Sequence, residues 1–377
     1  MKTTRHVNVL VAGAGPAGSA CAIALARAGM SVLLCDKEQF PRDKICGDCI
    51  NPRSWQFFKS VGIADALLSQ DLHRIDLVRV TNLNGRQVTV PVRRNEQRPF
   101  FSIKRSVLDN LLLRRACQDG VNVLQQTQVI DAVFSGRWLV TVRSTSGIDT
   151  WSSDFLIGAD GRNSTVANKI GSWVKTSSGT TAQRRIGIQW HADVQPRVGS
   201  EVQLYTMSEG YFGIVNVNDQ TSNIAMVTSP ETARDALADF PRFIERTFYD
   251  NPIINHYVGQ IEPRRGVLTT YPVNPVRRYW EHPAAYLVGD ARQTLEPFTG
   301  EGVSFALEDG LHTAQLVSDK LQLKMHSVPR RRGSFLVNRV VSPALRNREL
   351  VESLLAIGSM ILWLPRLLAK TILHTSV

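Results

Sequence analysis

Residues Gly13-Ala14-Gly15-Pro16-Ala17-Gly18 carry the spacing GxGxxG, and Asp36 follows them at roughly the 20-residue interval that a dinucleotide-binding unit needs. The chemistry this spacing permits is capture of a pyrophosphate. Gly13 allows a tight turn, Gly15 lets the backbone approach the phosphates, and Gly18 allows the next helix to pack closely on the strand. A helix opening at Pro16 and Ala17 would turn its unpaired N–H groups and the positive end of its dipole toward the anion. Asp36 is spaced to accept from ribose hydroxyls. An acid there favours an unphosphorylated 2′-OH, which selects FAD or NAD over NADP. Lys37 beside it joins the candidate cofactor-binding residues.

That loop by itself does not choose between FAD and NAD. Two distant segments do. Leu287-Val288-Gly289-Asp290-Ala291 ends an apolar run and is followed by Pro297-Phe298-Thr299-Gly300-Glu301-Gly302-Val303. Asp290 at a strand end can accept from a ribityl or ribose hydroxyl. Gly300, Gly302 and Val303 would open a helix whose N–H groups face the pyrimidine edge of a flavin, where negative charge develops on reduction. Gly158-Ala159-Asp160-Gly161-Arg162-Asn163-Ser164 is another strand end entering a helix. A cofactor stretched across the whole domain, as FAD is, uses all three segments.

In this order, over roughly residues 5–320, the segments resemble the FAD-dependent group that includes p-hydroxybenzoate hydroxylase, flavin halogenases and geranylgeranyl reductases. Two stretches are most similar to the geranylgeranyl reductase family: Phe40-Pro41-Arg42-Asp43-Lys44-Ile45-Cys46-Gly47-Asp48, which carries a KxCGD pattern, and Thr299-Gly300-Glu301-Gly302-Val303. Ile103-Lys104-Arg105-Ser106-Val107-Leu108-Asp109 is similar to that family's segment whose arginine, here Arg105, reaches the cofactor. The resemblance implies that Lys44, Cys46 and Gly47 lie near the isoalloxazine, with Cys46 and Gly47 the candidate catalytic positions, beside a lipophilic cavity. It also implies an aromatic-x-Trp-x-Phe-Pro pattern on the substrate sheet. Here that stretch reads Gly210-Tyr211-Phe212-Gly213-Ile214-Val215-Asn216, so Tyr211 and Phe212 are the substrate candidates on an altered wall. Cys46-Gly47-Asp48-Cys49 is also a C-x-x-C, which leaves a thiol–disulfide reading open.

The elements that must position these residues follow from the apolar pattern. Residues 7–12 and 31–36 read as buried parallel strands around a helix over 19–29, one βαβ unit. Residues 78–92 alternate around Asn84-Gly85, a hairpin signal. A helix is expected over 105–118, a meander over 122–153 with turns near Ser135-Gly136 and Ser146-Gly147, and strands over 155–157 and 286–288. Residues 185–229 form a polar, β-rich stretch, with a helix expected over 231–249 and another over 302–320. The expected fold is α/β: a glutathione-reductase-like Rossmann FAD-binding domain, a second β-rich α+β substrate domain and a C-terminal helical extension. The FAD domain is discontinuous, 1–75, 100–175 and 265–325; the substrate domain takes 76–99 and 176–264; the extension takes 326–377.

Composition sets the outer bounds. The chain has 377 residues, 43% hydrophobic and 20% charged, with a net charge of +11, which is a globular profile. Its basic residues are scattered pairs such as Arg114-Arg115 and Arg277-Arg278 rather than one stripe, which argues against a nucleic-acid partner and suits an anionic lipid surface or a plain solvated one. The five cysteines are irregularly spaced and the eight histidines do not cluster, so neither a disulfide framework nor a metal site is expected. Residues 350–364 are apolar but contain Glu352 and stop at Pro365, short of the ~20 residues that span a bilayer. A core helix and a helix lying on a membrane both fit.

The resulting expectation is a cytoplasmic FAD enzyme, with peripheral contact to the inner face of a membrane as one option. It reduces carbon–carbon double bonds of a lipophilic, isoprenoid-like substrate, and NAD(P)H or another reductant serves as transient electron donor. The alternative is a monooxygenase acting on an aromatic or polyketide-like substrate. A halogenase is disfavoured because no Trp-x-Trp-x-Ile-Pro segment is present. A flavin-bound scaffold without catalysis is the remaining reading.

Overall fold

The computed structural model describes residues 5–92, 95–174, 185–195, 198–258, 260–263 and 266–323, and the extension expected at 326–377 lies outside them. The first strand, Arg5–Ala12, pairs in parallel with Val32–Cys35 on one side and Gly147–Gly158 on the other. Strands covered on both faces need no polar side, so residues 9–12, 32–35 and 155–157 are apolar runs rather than alternating ones. Asn122–Leu124 extends the sheet beyond Val32–Cys35, and Ala285–Leu287 pairs in parallel with the end of Gly147–Gly158. Gln128–Phe134, Trp138–Ser144 and Gly147–Gly158 form an antiparallel meander that begins after the parallel strand Asn122–Leu124 and whose last strand continues through the separate strand expected at 155–157.

Register brings the motifs together. Ala12 lies opposite both Cys35 and Gly158, and Gly158 lies opposite Leu287. The glycine loop, Asp36, the segment at 158–164 and the segment at 289–291 each begin at one of these adjacent carboxyl ends. Ligands of open parallel sheets bind at that edge.

Helices Pro16–Arg27 and Gly302–Lys320 pack against each other on one face of this sheet. Their approach depends on Gly310, where a Cβ would stand 2.1 Å from the Ala17 carbonyl oxygen. Backbone cannot yield as a flexible side chain can. Gly310→Ala is therefore expected to push the helices apart and cost about 1–3 kcal/mol, read as a lower urea midpoint; an unchanged midpoint would contradict this packing.

The second sheet has eight strands among the described residues. The hairpin Leu77–Thr81/Gln87–Pro91 forms one side of it and runs in parallel with Glu201–Met207. Gly210–Asn218, Thr221–Thr228 and Ile186–Gln195 continue it antiparallel. One face, with Ile188, Trp190, Phe212, Ile214, Ile224 and Met226, is buried under Pro230–Ala238, Phe240–Ile244 and Pro252–Val258. The period of two then turns Gln189, His191, Gly213 and Asn223 toward the first domain.

Two expectations need correction. The single helix over 231–249 is broken at Asp239, whose side chain accepts from the Arg242 N–H to start a new helix, because Pro241 has no N–H to continue the old one. Leu268–Thr270, expected in the FAD domain, pairs with Ile186–Gln195 of the second sheet.

Candidate cofactor site

The glycines of the first loop divide into two kinds. A Cβ at Gly13 would stand 2.3 Å from the Ala159 carbonyl oxygen, and one at Gly18 would stand 1.9 Å from the Gly13 oxygen. Gly13 also has φ +103°, which disfavours any other residue. These two glycines hold the loop against the strand ends. Gly15 differs: a Cβ there would meet only Arg42 Nη2, at 3.7 Å. Its surface is open, as a backbone approached by a ligand must be. The helix begins at Pro16, with Gly15 as its extended cap residue and no side-chain cap, so its first N–H groups face the opening. Pro16 and Ala17 are buried and contribute backbone alone.

Asp36 ties the loop to the second strand. Its carboxylate accepts from the Ala14 N–H at 2.7 Å and the Glu38 N–H at 3.0 Å, leaving lone pairs for a ribose. Lys37 is not brought to the site: its side chain is 66% exposed and pairs with Glu38 at 3.7 Å. Arg42, absent from the sequence-derived site, takes that place. Its guanidinium lies 4.0 Å from Asp36 and 3.3 Å from Asp109, over the Phe40 ring, and its buried Nε has no hydrogen-bond partner. A buried, unsatisfied cationic donor beside Gly15 fits an anionic ligand.

Arg105 donates two hydrogen bonds to Asp109, at 2.9 and 2.8 Å. Asp109 is fully buried and holds both arginines. Its signal was the i, i+4 spacing from Arg105 on one helix.

At the next strand end, Asp160 serves the protein. Its carboxylate accepts from the Ser164 hydroxyl and from the Thr165 and Val166 N–H groups, starting the helix Thr165–Lys169. Burial pushes its pKa up against those hydrogen bonds. What it offers a cofactor directly is the turn it shapes. Asp290 is half-exposed and free to face a ligand, with Arg162 3.9 Å away. Gly289 donates its N–H to Asp309 at 2.8 Å. Lys44 spans the cleft toward them, its Nζ 3.8 Å from a would-be Cβ on Gly161. Burial lowers its pKa and the Asp290 charge opposes that.

The segment around Cys46 is clamped to the second sheet. The Gln189 side-chain oxygen accepts from the Cys46 N–H at 2.9 Å, Asn223 donates to the Cys46 carbonyl at 2.9 Å, and Gln189 donates to Asn223 at 2.8 Å. Two amides thus treat one residue's backbone as a strand partner. Gly47 comes next, with no atom within 4 Å of where a Cβ would stand; Gly300 and Gly302 are equally open. Asn51, on the same segment, accepts from the Ser304 hydroxyl at 3.0 Å and donates to the Gly300 carbonyl at 3.5 Å, which joins the Cys46 and Gly300 loops. Val303 is a core side chain, so its part is its N–H. Burial pushes both the Cys46 and the Cys49 thiols up, while Arg105 pulls Cys46 down; both cysteines are free. Thiols raised in this way are poor partners in disulfide exchange.

Of the two substrate candidates, Tyr211 faces the first domain but is already engaged. Its hydroxyl donates to Glu296 at 2.7 Å and accepts from the Phe298 N–H at 3.0 Å, and Arg185 donates to the same Glu296 at 2.8 Å. Phe212 is a correction. It lies on the opposite face, fully buried between Tyr205 and Phe248, because consecutive strand residues point to opposite sides. Sequence reasoning missed Gln189, Asn223 and Glu296, since single amides and one acid carry no spacing signal.

Open glycine surfaces at positions 15, 47, 300 and 302, a carboxylate at the second strand end and an arginine with an unpartnered donor together fit a long anionic dinucleotide. Residues 6–322 match the FAD binding domain family. The chain belongs to that family. It is an FAD-dependent oxidoreductase with the α/β FAD-binding fold. The menaquinone reductase of Mycolicibacterium smegmatis is 29% identical over 334 residues, covering 83% of this chain and 76% of the relative. The tryptophan 2-halogenase of Chondromyces crocatus is 25% identical, covering 84% and 62%. Among solved structures, the flavin-dependent brominase Bmp2 superposes with a TM-score of 0.75 at 20% identity, covering 97% of this chain and 92% of that one. A geranylgeranyl bacteriochlorophyll reductase-like protein from Thermoplasma acidophilum gives 0.69 at 18% identity, covering 85% and 79%. Within the FAD family these structural likenesses concern the fold.

Among the described residues, no group of His, Cys, Asp and Glu side chains could hold a metal ion, and no helix is long and apolar enough to cross a membrane.

Proposed function

We propose that this FAD enzyme reduces carbon–carbon double bonds in an isoprenoid-bearing lipid, with an isoprenoid quinone as the leading substrate class. The observation that carries the reading is the similarity to menaquinone reductase over 83% of the chain, joined to a KxCGD segment clamped by Gln189 and Asn223. Bound and reduced, FAD supplies a hydride, and the protein supplies orientation and dryness. The residues that would hold it are the loop at 13–18, Asp36, Arg42, Asp290 and the N–H groups at 300–303. The Cys46 clamp keeps the open backbone of Gly47 fixed against the second sheet, so a substrate between the two domains meets a rigid wall. NAD(P)H or another reductant arrives transiently. The scattered basic surface supports peripheral contact with an anionic membrane, where such a lipid resides.

The polar sheet face formed by Gln189, His191 and Asn223 also suits an aromatic substrate, which keeps hydroxylation as the second reading. One experiment separates the two. Purified protein is incubated with dithionite or NAD(P)H and isoprenoid quinones, with and without oxygen, and product mass is read. A gain of two hydrogens in the isoprenoid chain, kept after the head group is reoxidised to the quinone, is expected without oxygen; a gain lost on reoxidation, or incorporation of an oxygen atom, would sink the reductase reading.

A further inference from the structure

We propose that His191, held in place by Asp48, is the catalytic acid that gives the second hydrogen to the substrate as a proton. The inference rests on the reductase reading above. Reduction of an alkene needs two different hydrogens. One carbon takes a hydride, with its electron pair, from the reduced cofactor. The other must take a proton as the π bond breaks and two C–H bonds form. The donor is left as neutral imidazole and recovers its proton from water.

Four observations point to His191. First, it lies on Ile186–Gln195, two residues from Gln189, whose side chain binds the Cys46 backbone, so the period of two puts it on the same face. Opposite it in register is Asn223, the other half of the clamp. Second, its Nε2 is 3.3 Å from Asp48, and Asp48 is buried while the ring stays 24% exposed. A carboxylate behind one ring nitrogen fixes the tautomer and leaves the other nitrogen to exchange protons with a ligand. Third, Asp48 adopts φ +55°, a conformation uncommon outside glycine. Its carbonyl accepts from the Ile103 N–H at 3.0 Å, so the strained backbone is pinned with the side chain toward His191. Fourth, Gly47, immediately before Asp48, opens onto free space, so there is room for a reacting group beside the pair.

The other ionisable groups around the pair are poorer donors. Cys46 and Cys49 are half-buried thiols that desolvation holds above the usual cysteine range. Arg105 is bound to Asp109 and does not release protons near neutrality. Lys44 turns its Nζ to Gly161, 3.8 Å from a would-be Cβ there, and to the Asp290 charge. Asp193 lies two residues further along the same strand, beside the edge strand Gln260–Pro263. Among the described residues His191 is the group at this junction that is both held and reachable.

The test uses the flavin-loaded protein and has a readout independent of turnover. Nitrogen-15 labelling of the histidine rings shows which nitrogen carries the proton, and the His191 signal is assigned by its loss in His191→Gln. The wild type is expected to show the Nε2–H form, and Asp48→Asn a mixture or the other tautomer; no change in Asp48→Asn overturns the pairing. His191→Gln is expected to keep full flavin content and a KM within a few-fold, while kcat falls about 10²- to 10⁴-fold. Added imidazole should restore part of the rate of His191→Ala, which a packing role would not allow. Loss of flavin in step with activity would overturn the acid role. If the wild type adds no hydrogens to the isoprenoid chain of any quinone, the reductase reading falls and this role with it. If the wild type reduces the lipid and His191→Gln does so equally fast, the role alone falls.

Discussion

Gly15→Ala should fold like the wild type and purify nearly colourless. The added methyl has room, since only Arg42 Nη2 comes within 4 Å, at 3.7 Å, and the backbone at Gly15 is extended, φ −70° and ψ −178°, a region every residue tolerates. What the methyl occupies is the surface a pyrophosphate must approach. Hydrogen bonds from backbone N–H groups to a charged phosphate contribute about 1.5–3 kcal/mol each, so holding the phosphates off by one methyl should raise the FAD Kd about 100-fold, near 2.7 kcal/mol. Gly13→Ala provides the contrast. It places a Cβ 2.3 Å from the Ala159 oxygen at φ +103°, combining backbone strain with a clash that no side chain can relieve, about 2–5 kcal/mol together. Apo-protein unfolding and flavin titration separate the two outcomes. A Gly15→Ala protein with wild-type flavin affinity would show that the anion binds elsewhere.

The second large effect is expected at Asp109. Removing its charge with Asp109→Asn leaves Arg105 and Arg42, both largely buried, without the carboxylate they share. Breaking one side of a buried ion pair costs about 3–5 kcal/mol, because the remaining charge stays desolvated. The urea unfolding free energy of the apo-protein should fall by that amount. Saturating FAD should recover part of it, since the pyrophosphate supplies negative charge beside Arg42 and ligand binding to the folded state is itself stabilising. Arg42→Met added to Asp109→Asn should also recover part, a coupling expected of residues in one network. Equal stability of Asp109→Asn and wild type would mean that water reaches the arginines.

Much of the cofactor half was legible in the chain because its signals are local. A glycine loop needs its glycines at fixed offsets, and an apolar strand before it and a helix after it are read from the same 30 residues. That locality also put Asp36, Asp290, Gly300 and Gly302 at strand and helix ends, where the structure has them, and the helix at Gly302–Lys320 was read with its observed bounds. Two of the named residues have partners within the protein. Lys37 turned outward, as its position after a strand end permits. Asp160 spent its carboxylate on Ser164 and the helix behind it, a capping role that a strand-end acid can fill as readily as ligand binding.

The substrate half was barely legible. Phe212 looked like a wall residue because it is aromatic and neighbours Tyr211, yet the face of a strand is decided by register, and one position reverses it. Gln189, His191, Asn223 and Glu296 act through partners 34 to 177 residues away, so no spacing in the chain announces them.

The amino-acid sequence by itself determined the cofactor and the enzyme's family, because pyrophosphate binding is built from short-range geometry: a turn, a helix end and an acid at the next strand end. Only the tertiary structure decided which side chains the second sheet turns toward the first domain. Sheet register selected the polar side of the second sheet, and the clamp on Cys46 brought Asp48 to His191 across 143 residues. Those contacts exist because two separately formed sheets meet at the same strand ends, a fact of packing that local pattern does not encode.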